Sequence, residues 1–323
     1  MNPMFSRILK ALCALVAVAM LSACGGASST VDPFVATRVI AFGDGFNNVD
    51  VNGFGLSTVR TSETDITIAG RVAARYGIVV KKVTGGNPLA ANGGFSYASA
   101  SARVSDVATQ IDTFLISAGG LVEKKDLIII SVGNWDIKDA AATNNTAAIN
   151  TATTNLVNAI QRLTNAGAEH VVVMPAINMA RTPWATSVNP GISRAVIQNL
   201  SNSASTSFNF TLLVKLQAAY TQDRKPVVVI DRTADFNSFA GSVDVNGAAI
   251  ANFSGVYLTN LSTAVCQTVE LDGGCQLAGL FGGNTSVDYL SSVFADDINL
   301  TPVANRFLAD RIFIMMRSFG WAP

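Results

Sequence analysis

Histidine is almost absent from this sequence, and so are the features that mark several large classes of protein. The 323 residues contain one histidine, four cysteines, and equal numbers of acidic and basic residues, 22 of each. Lysine and arginine are scattered and form no basic stripe, which argues against a nucleic-acid-binding protein. Because no spacing of histidines, cysteines or acids matches a metal site, the sequence predicts neither a metal nor a cofactor.

Linkers and internal repeats are also absent. Hydrophobic residues make up 49% of the chain and charged residues 14%, a composition typical of a globular protein with a sizeable core. Since no Pro/Ser-rich segment divides the chain after its amino terminus, we expect one folded domain. The expected boundaries are a signal peptide at 1–23, a tether at 24–36 and a domain at 37–323.

The amino terminus has the pattern of an export signal. Arg7 and Lys10 precede an apolar run at 11–20 that is too short to span a bilayer. Residues 21–24, Leu-Ser-Ala-Cys, resemble the lipobox of bacterial lipoproteins, which implies cleavage before Cys24 and attachment of acyl chains, palmitate among them, to that cysteine. Gly25 after the cysteine resembles outer-membrane sorting, so the lipid membrane is an expected partner. Ordinary cleavage after Ala23 is the alternative.

Two cysteines remain in the mature chain once Cys13 leaves with the signal and Cys24 serves as the anchor. In an oxidising compartment Cys266 and Cys275 are expected to form a disulfide, which would stabilise the fold by roughly 2 to 3 kcal/mol. A metal-binding pair is the other interpretation, although no histidine lies nearby in the sequence.

Strands and helices alternate along the chain. Apolar runs predict strands at 39–42, 78–83, 127–132, 169–175 and 226–231. Helical spacing predicts helices at 65–76 and 104–117, a long helix ending near 165, a helix-rich stretch at 190–221, and a last helix with Thr301 as N-cap and Pro302 at its first position. The pattern favours a mostly parallel α/β sheet with helices on both faces, and 236–293 is irregular.

Four separated segments, in a match from Val39 to about residue 314, resemble the sequence blocks of the GDSL or SGNH hydrolases, lipases and esterases on a flavodoxin-like three-layer fold. Where the first block of that family reads Phe-Gly-Asp-Ser-Leu, residues 42–46 read Phe-Gly-Asp-Gly-Phe. The nucleophilic serine of the family therefore falls on Gly45, beside Asp44. Where the last block reads Asp-x-x-His, the acid falls on Asp296 and the base on Asn299.

The two middle blocks carry the oxyanion hole in that family. The second block resembles 96–102, so that the glycine whose amide stabilises the oxyanion falls on Ser101. The third block, Gly-x-Asn-Asp, resembles 133–136, which places Trp135 at the side-chain donor and Asn134 one residue early. Trp135 would make the pocket apolar and suited to stacking, or it is a core residue. The resemblance thus implies a vestigial pocket formed by Asp44, Gly45, Ser101, Asn134, Trp135, Asp296 and Asn299.

A serine attacks an ester only when a base takes its proton, and both groups are missing from these positions. His170, the single histidine, begins a strand at the opposite edge of the predicted sheet, which favours a surface or partly buried role. Asp44, Asp136, Asp296 and Asp297 are an alternative acid–base set if they converge, but aspartates that cap loops explain them as well.

These residues lead to three hypotheses for function. The first is an envelope lipoprotein that has lost Ser-His catalysis and binds an acyl, glycan or protein ligand. The second is residual or altered ester hydrolysis, and the third is a structural or assembly partner in the outer membrane. Whether the chain is an enzyme is left open, with the two missing groups favouring the first hypothesis.

Overall fold

The structure, a computed structural model, describes most of the chain after the tether. The described residues are 34–84, 93–188, 191–220, 226–229, 251–253, 256–266, 273, 275 and 288–322. The predicted signal peptide, Cys24 and most of the predicted tether lie outside them, and so does Asp231 at the end of the last predicted strand. Within the described part, no helix is both long enough and apolar enough to cross a membrane.

A six-stranded parallel sheet forms the centre of the domain. Its strands are β1 Arg38–Gly43, β2 Val80–Lys82, β3 Gly94–Ser96, β4 Asp126–Ser131, β5 Val171–Met174 and β6 Val227–Val229, in the order β2-β3-β1-β4-β5-β6. Every residue of β1, β4 and β5 is buried, since helices cover both faces of the sheet. The predicted parallel α/β sheet is confirmed.

Among the described residues, seven α-helices cover the two faces. They are α1 Ile68–Ala74, α2 Val104–Ser117, α3 Asn134–Ala141, α4 Thr146–Asn165, α5 Arg194–Gln198, α6 Phe208–Ala219 and α7 Pro302–Ser318. Helices α2, α4 and α6 pack side by side, whereas α1 packs against α7. The two groups and the sheet make three layers, as expected.

Side-chain caps explain two differences between the predicted and the observed helices. The predicted helix 65–76 begins later because Thr67 accepts a hydrogen bond from the amide of Gly70 (3.1 Å). The long helix ending at 165 is two helices, separated where Asn144 adopts φ +49° and Asn145 caps α4. Thr301 caps α7 as predicted, with Pro302 in the first turn. On α7 the buried side chains include Leu308, Ile312 and Met316, while Val303, Phe307 and Met315 are half-buried.

The strand β3 and the small sheets near the carboxyl terminus were not predicted. β3 is three residues long and pairs with both β1 and β2. β7 Ala251–Phe253 pairs antiparallel with β8 Val256–Leu258, and β9 Asn260–Ala264 pairs parallel with β10 Ser292–Phe294. The stretch that the sequence leaves irregular therefore contributes four short strands among its described residues.

Candidate functional site

The carboxyl ends of β1 and β4 lie next to each other in the sheet. The two strands pair in parallel from Arg38 and Asp126 to Gly43 and Ser131. The chain leaves β1 toward β2 on one side, whereas β4 leads to β5 on the other, so this is the switch point where α/β sheets form their ligand sites. Gly43 adopts φ +120°, and a Cβ there would lie 1.8 Å from the carbonyl oxygen of Ser131, so only glycine fits this turn.

Asp44 follows this turn and is 1% exposed. Its Oδ1 accepts hydrogen bonds from the Phe46 amide (3.3 Å) and the Ser131 hydroxyl (3.1 Å), and its Oδ2 accepts one from Asn134 Nδ2 (3.0 Å). Burial raises the pKa of the Asp44 carboxyl to about 7, although these donors favour the ionised form. Asp44 therefore joins the β1 loop to the start of α3.

Gly45 and Asn299 are in direct contact. A Cβ built on Gly45 would lie 2.1 Å from Asn299 Oδ1 and 2.8 Å from Ser57 Cβ. The side-chain Nδ2 of Asn299 donates to Asp296 Oδ2 (2.8 Å), and the backbone N–H of Asn299 donates to Asp296 Oδ1 (2.6 Å). The side chain of Asn299 thus links the buried acid Asp296 to the backbone at Gly45, and its carbonyl oxygen takes the space that a side chain at 45 would need.

The carbonyl oxygen of Ala100 lies between two donors of the site. It accepts hydrogen bonds from the Gly45 amide (3.1 Å) and from Trp135 Nε1 (3.2 Å). The resemblance assigns Trp135 to the side-chain donor of an oxyanion hole and Gly45 to the nucleophile. Both therefore donate to a protein carbonyl. Ser101, which the resemblance assigns to the backbone donor of the oxyanion hole, is exposed, and its carbonyl accepts from Arg103 Nη1 (2.9 Å).

Trp135 is buried, with 3% of its surface exposed. The ammonium nitrogen of Lys138 lies 4.4 Å from the centre of its ring and the guanidinium carbon of Arg103 lies 5.8 Å from it. Cation–π contacts of this kind stabilise the ring where it is. Trp135 is therefore a core residue that presents no open face for stacking on a ligand.

Asn134 is held at both ends of its amide. Its Nδ2 donates to Asp44 and its Oδ1 accepts from the amide of Ile177 (3.1 Å). Because both ends have partners inside the fold, Asn134 connects the β1 loop to the segment after β5.

The four aspartates considered as an acid–base set each have a different partner. Asp136 accepts from the Val104 amide (3.2 and 3.3 Å) at the start of α2, and burial raises the pKa of the Asp136 carboxyl to about 6. Asp297 Oδ2 lies 3.7 Å from Lys138 Nζ, and the Asp297 carbonyl accepts from the Trp184 amide (2.9 Å). These contacts tie loops and helix ends together. Among the described residues, no group of three or more His, Cys, Asp or Glu side chains could hold a metal ion.

Ser57 is a site residue that sequence reasoning missed. It is 1% exposed, its Cβ lies beside Gly45, and its hydroxyl accepts from Asn48 Nδ2 (3.1 Å). No motif contains Ser57, and only folding brings its loop against Gly45. Ser57 carries a hydroxyl, but the other side chain beside Gly45 is the amide of Asn299. An amide is not a base and cannot activate that hydroxyl.

His170 and Asn305 lie away from this contact. His170 directly precedes β5 at the amino edge of the sheet, stacked on Phe34 with ring centres 3.7 Å apart, and burial lowers its pKa. Asn305, in the first turns of α7, donates to the Ile66 carbonyl (3.1 Å) and so joins α7 to the segment before α1.

The predicted disulfide between Cys266 and Cys275 is present. The Cys266 amide donates to the Ala295 carbonyl (2.9 Å), next to Asp296, and the Cys275 amide donates to the Thr58 carbonyl (3.0 Å), next to Ser57. The disulfide therefore joins two segments that contact Gly45 from the same side.

The fold and the position of this site define a three-layer α/β protein whose centre lies at the switch point of a parallel sheet. The family model for GDSL-like lipase/acylhydrolase matches residues 39–312, and the chain belongs to this family.

Two solved structures are similar to the chain. One is a member of the lipolytic protein G-D-S-L family from Veillonella parvula DSM 2008, 13% identical, over 87% of this chain and 99% of that one, with a TM-score of 0.44. The other is the acetyl xylan esterase AlAXEase, 13% identical, over 86% of this chain and 98% of that one, with a TM-score of 0.45. No protein of curated function matches the chain.

Proposed function

We propose that this chain is a lipid-anchored protein of the bacterial outer membrane whose GDSL-like domain has lost Ser-His catalysis and acts by binding another envelope component. Family membership supplies the ester-hydrolase fold. The anchor rests on the lipobox resemblance at Cys24, and the loss of catalysis rests on the residues at the centre.

The contact between Gly45 and Asn299 is the observation that carries the proposal. Gly45 has no oxygen that could attack an ester, and the Asn299 amide cannot take a proton. In acyl transfer these two groups work as a unit, so that loss of either one costs about as much as loss of both. Asn299 Oδ1 also fills the space in front of Gly45, so the two changes fit each other sterically.

The hydrogen bond of Trp135, which stands at the position of the family's side-chain oxyanion donor, also supports the loss of catalysis. A hydrolase keeps such donors free for the negative charge that develops in the transition state. Here the Gly45 amide and Trp135 Nε1 both donate to Ala100, and a substrate oxygen would have to displace that carbonyl.

Burial of the centre favours a ligand that binds outside it. The side chains of Asp44, Asn134, Trp135, Asp296 and Asn299 are at most 3% exposed. An acyl chain or a sugar ring needs an open concave surface, whereas a protein partner binds to an exposed face. We therefore place a protein of the envelope ahead of acyl and glycan ligands.

Residual hydrolysis is the second candidate. In its favour, burial raises the pKa of the Asp44 carboxyl to about 7, in the range of a general base, and the Cβ of Ser57 lies beside Gly45. Against it, both Asp44 oxygens already accept hydrogen bonds, and Ser57 is 1% exposed.

A fluorophosphonate probe followed by intact mass measurement separates the two candidates, because it labels serines activated as nucleophiles. The proposal expects an unlabelled chain. Labelling of one serine per molecule, lost in Ser57→Ala, would overturn it.

The mass spectrum of the protein taken from membranes should show acyl chains on Cys24. Cross-linking in intact cells should then capture a defined envelope protein, and vesicles or glycans that alone raise the melting temperature would favour the other ligands.

A further inference from the structure

The edge of the sheet opposite the candidate site carries several exposed apolar side chains, which we call the amino rim: Val35, Ile116, Leu121 and Phe319. Their exposed fractions are 49%, 81%, 71% and 51%. Val35 precedes β1, and Leu121 lies in the connection that enters β4. Ile116 and Phe319 lie at the ends of α2 and α7, which run back from the carboxyl edge. All four therefore lie at the edge where the parallel strands begin.

Aromatic rings lie directly behind the amino rim. Phe34 stacks on His170, and Trp321 meets His170 edge to face at 5.0 Å and Phe319 at 6.3 Å. The Tyr76 hydroxyl donates to the Trp321 carbonyl (2.8 Å). Tryptophan and tyrosine combine an apolar ring with a polar group, and such residues are enriched where proteins meet the interface of a bilayer.

Basic side chains accompany these rings. Lys124, Lys125 and Arg317 are exposed at the same edge, and the side chain of Lys124 is 84% exposed. Glu123 and Glu169 are the exposed acids beside them, and Glu169 lies 3.4 Å from Lys124. Apolar tips next to lysine and arginine suit the surface of a membrane that contains anionic lipids.

The chain enters the domain at this edge. Phe34 is the first described residue, and it packs against His170 and Tyr76. Phe34 lies ten positions after Cys24, and a chain of that length spans at most about 35 Å when fully extended. Acyl chains on Cys24 would therefore hold the amino rim close to the bilayer that they occupy.

We propose that the amino rim docks on the outer-membrane lipid that holds the Cys24 acyl chains, so that the candidate site faces away from that membrane. This inference rests on the proposed acylation of Cys24. The six residues of β4 separate the two edges of the sheet by about 20 Å. The acyl groups of the same bilayer are thus out of reach of Gly45 and Asn299, and a partner approaches the carboxyl edge from the aqueous side.

The three tryptophans of the chain provide a test. Trp321 lies at the amino edge, whereas Trp135 and Trp184 lie beside the candidate site. The acylated full chain is placed in phosphatidylethanolamine and phosphatidylglycerol vesicles that contain brominated lipid, which quenches tryptophan emission on contact. The quenched fraction should disappear in Trp321→Phe and persist in Trp184→Phe. Quenching that disappears only in Trp184→Phe, or none at all, would overturn the orientation.

A pair of matched surface variants tests the amino rim itself. Phe319→Glu should weaken the quenching of Trp321, because it puts a charge on the docking surface. Phe210→Glu is the control, since Phe210 is 48% exposed on α6 but lies near the carboxyl edge. Equal effects of the two variants would contradict docking through the rim.

The mass of the membrane-extracted chain distinguishes the two ways to fail. If Cys24 carries no acyl groups, both the proposed anchor and the proposed orientation are wrong. The proposal that catalysis is lost at Gly45 and Asn299 is unaffected. If Cys24 is acylated but Trp321 is not quenched, the anchor is present and only the proposed orientation is wrong.

Discussion

The amide of Asn299 has an NH₂ end, which donates to Asp296, and a carbonyl end, which lies against Gly45. A neutral histidine at this position would donate to the acid with one nitrogen and accept a proton with the other. Asparagine keeps the first interaction and lacks the second. The loop around Asp296 can therefore keep its hydrogen bonds although the basic group is absent.

Gly45→Ser should lower stability and leave the protein without esterase activity. The new Cβ would lie 2.1 Å from Asn299 Oδ1 and 2.8 Å from Ser57 Cβ, so neighbouring side chains must move, at a cost of about 1–3 kcal/mol. Urea unfolding measures the loss. The control is Gly273→Ser, because a Cβ at Gly273 meets no atom of the described residues within 4 Å. If both variants are as stable as the wild type, the close contact at Gly45 is not present.

Asp44 should make the protein more stable in mild acid than at neutral pH. Burial raises the pKa of its carboxyl from 3.8 to about 7, so between these values the folded state binds a proton that the unfolded state has released. This contribution is complete below about pH 4 and is lost as the pH rises through 7. Asp44→Asn should remove it, so that the difference in unfolding free energy between variant and wild type changes by on the order of 4 kcal/mol from pH 4 to 8.

The contribution of Asp310 to stability should change with pH in the opposite direction to that of Asp44. Although burial works against it, hydrogen bonds from Arg71 and Arg75 lower the pKa of its carboxyl, so its contribution is present near neutral pH and is lost as the pH falls. Asp310→Asn should therefore reduce stability at pH 7 more than at acid pH. A pH profile that Asp44→Asn leaves unchanged would contradict the burial of Asp44 as a neutral group.

At the scale of elements, the site is held by loops that the disulfide joins. Reduction of Cys266–Cys275, or Cys266→Ala with Cys275→Ala, should cost roughly 2–3 kcal/mol, because it frees the segments next to Ser57 and Asp296. Thermal unfolding with and without reductant measures the change. The double variant is the control for reductant effects, since its melting temperature should not respond to reductant. An unchanged wild-type melting temperature would contradict this role.

The elements that the sequence predicts best are those with strong local signals. α2 has the predicted bounds, and α7 begins at the predicted cap, because apolar spacing and a capping threonine act within a few residues. β3 was missed because it has three residues, begins with Gly94, and exists only by pairing with β1 and β2. Such pairing depends on contacts that are distant in sequence.

The candidate site was also predicted only in part. The motifs locate the loops at Asp44, 133–136 and Asp296, since their residues are contiguous in sequence. They do not reveal that the Ala100 carbonyl accepts from Gly45 and Trp135, or that Ser57 lies beside Gly45. Those contacts depend on how separate loops pack and on backbone atoms, which every residue type shares.

At the scale of the whole molecule, the chain has the fold of a GDSL-like lipase/acylhydrolase with Gly45 and Asn299 at the switch point of its sheet. The sheet, its two helix layers and the turn at Gly43 are all in place, although the chain has no serine at 45 and no histidine at 299. The stability of the core comes from buried apolar strands and helices, so an active centre can change while the fold remains.

Turnover of p-nitrophenyl acetate by the purified full chain tests the loss of catalysis most directly. Any rate above that of buffer is compared with the rate of Asp296→Asn, which disturbs the acid–amide pair at the centre. We predict that the wild type and the variant both hydrolyse the ester no faster than an unrelated protein at the same concentration. Hydrolysis by the wild type that falls to the control rate in Asp296→Asn would contradict the proposal and restore the chain to the active enzymes of its family.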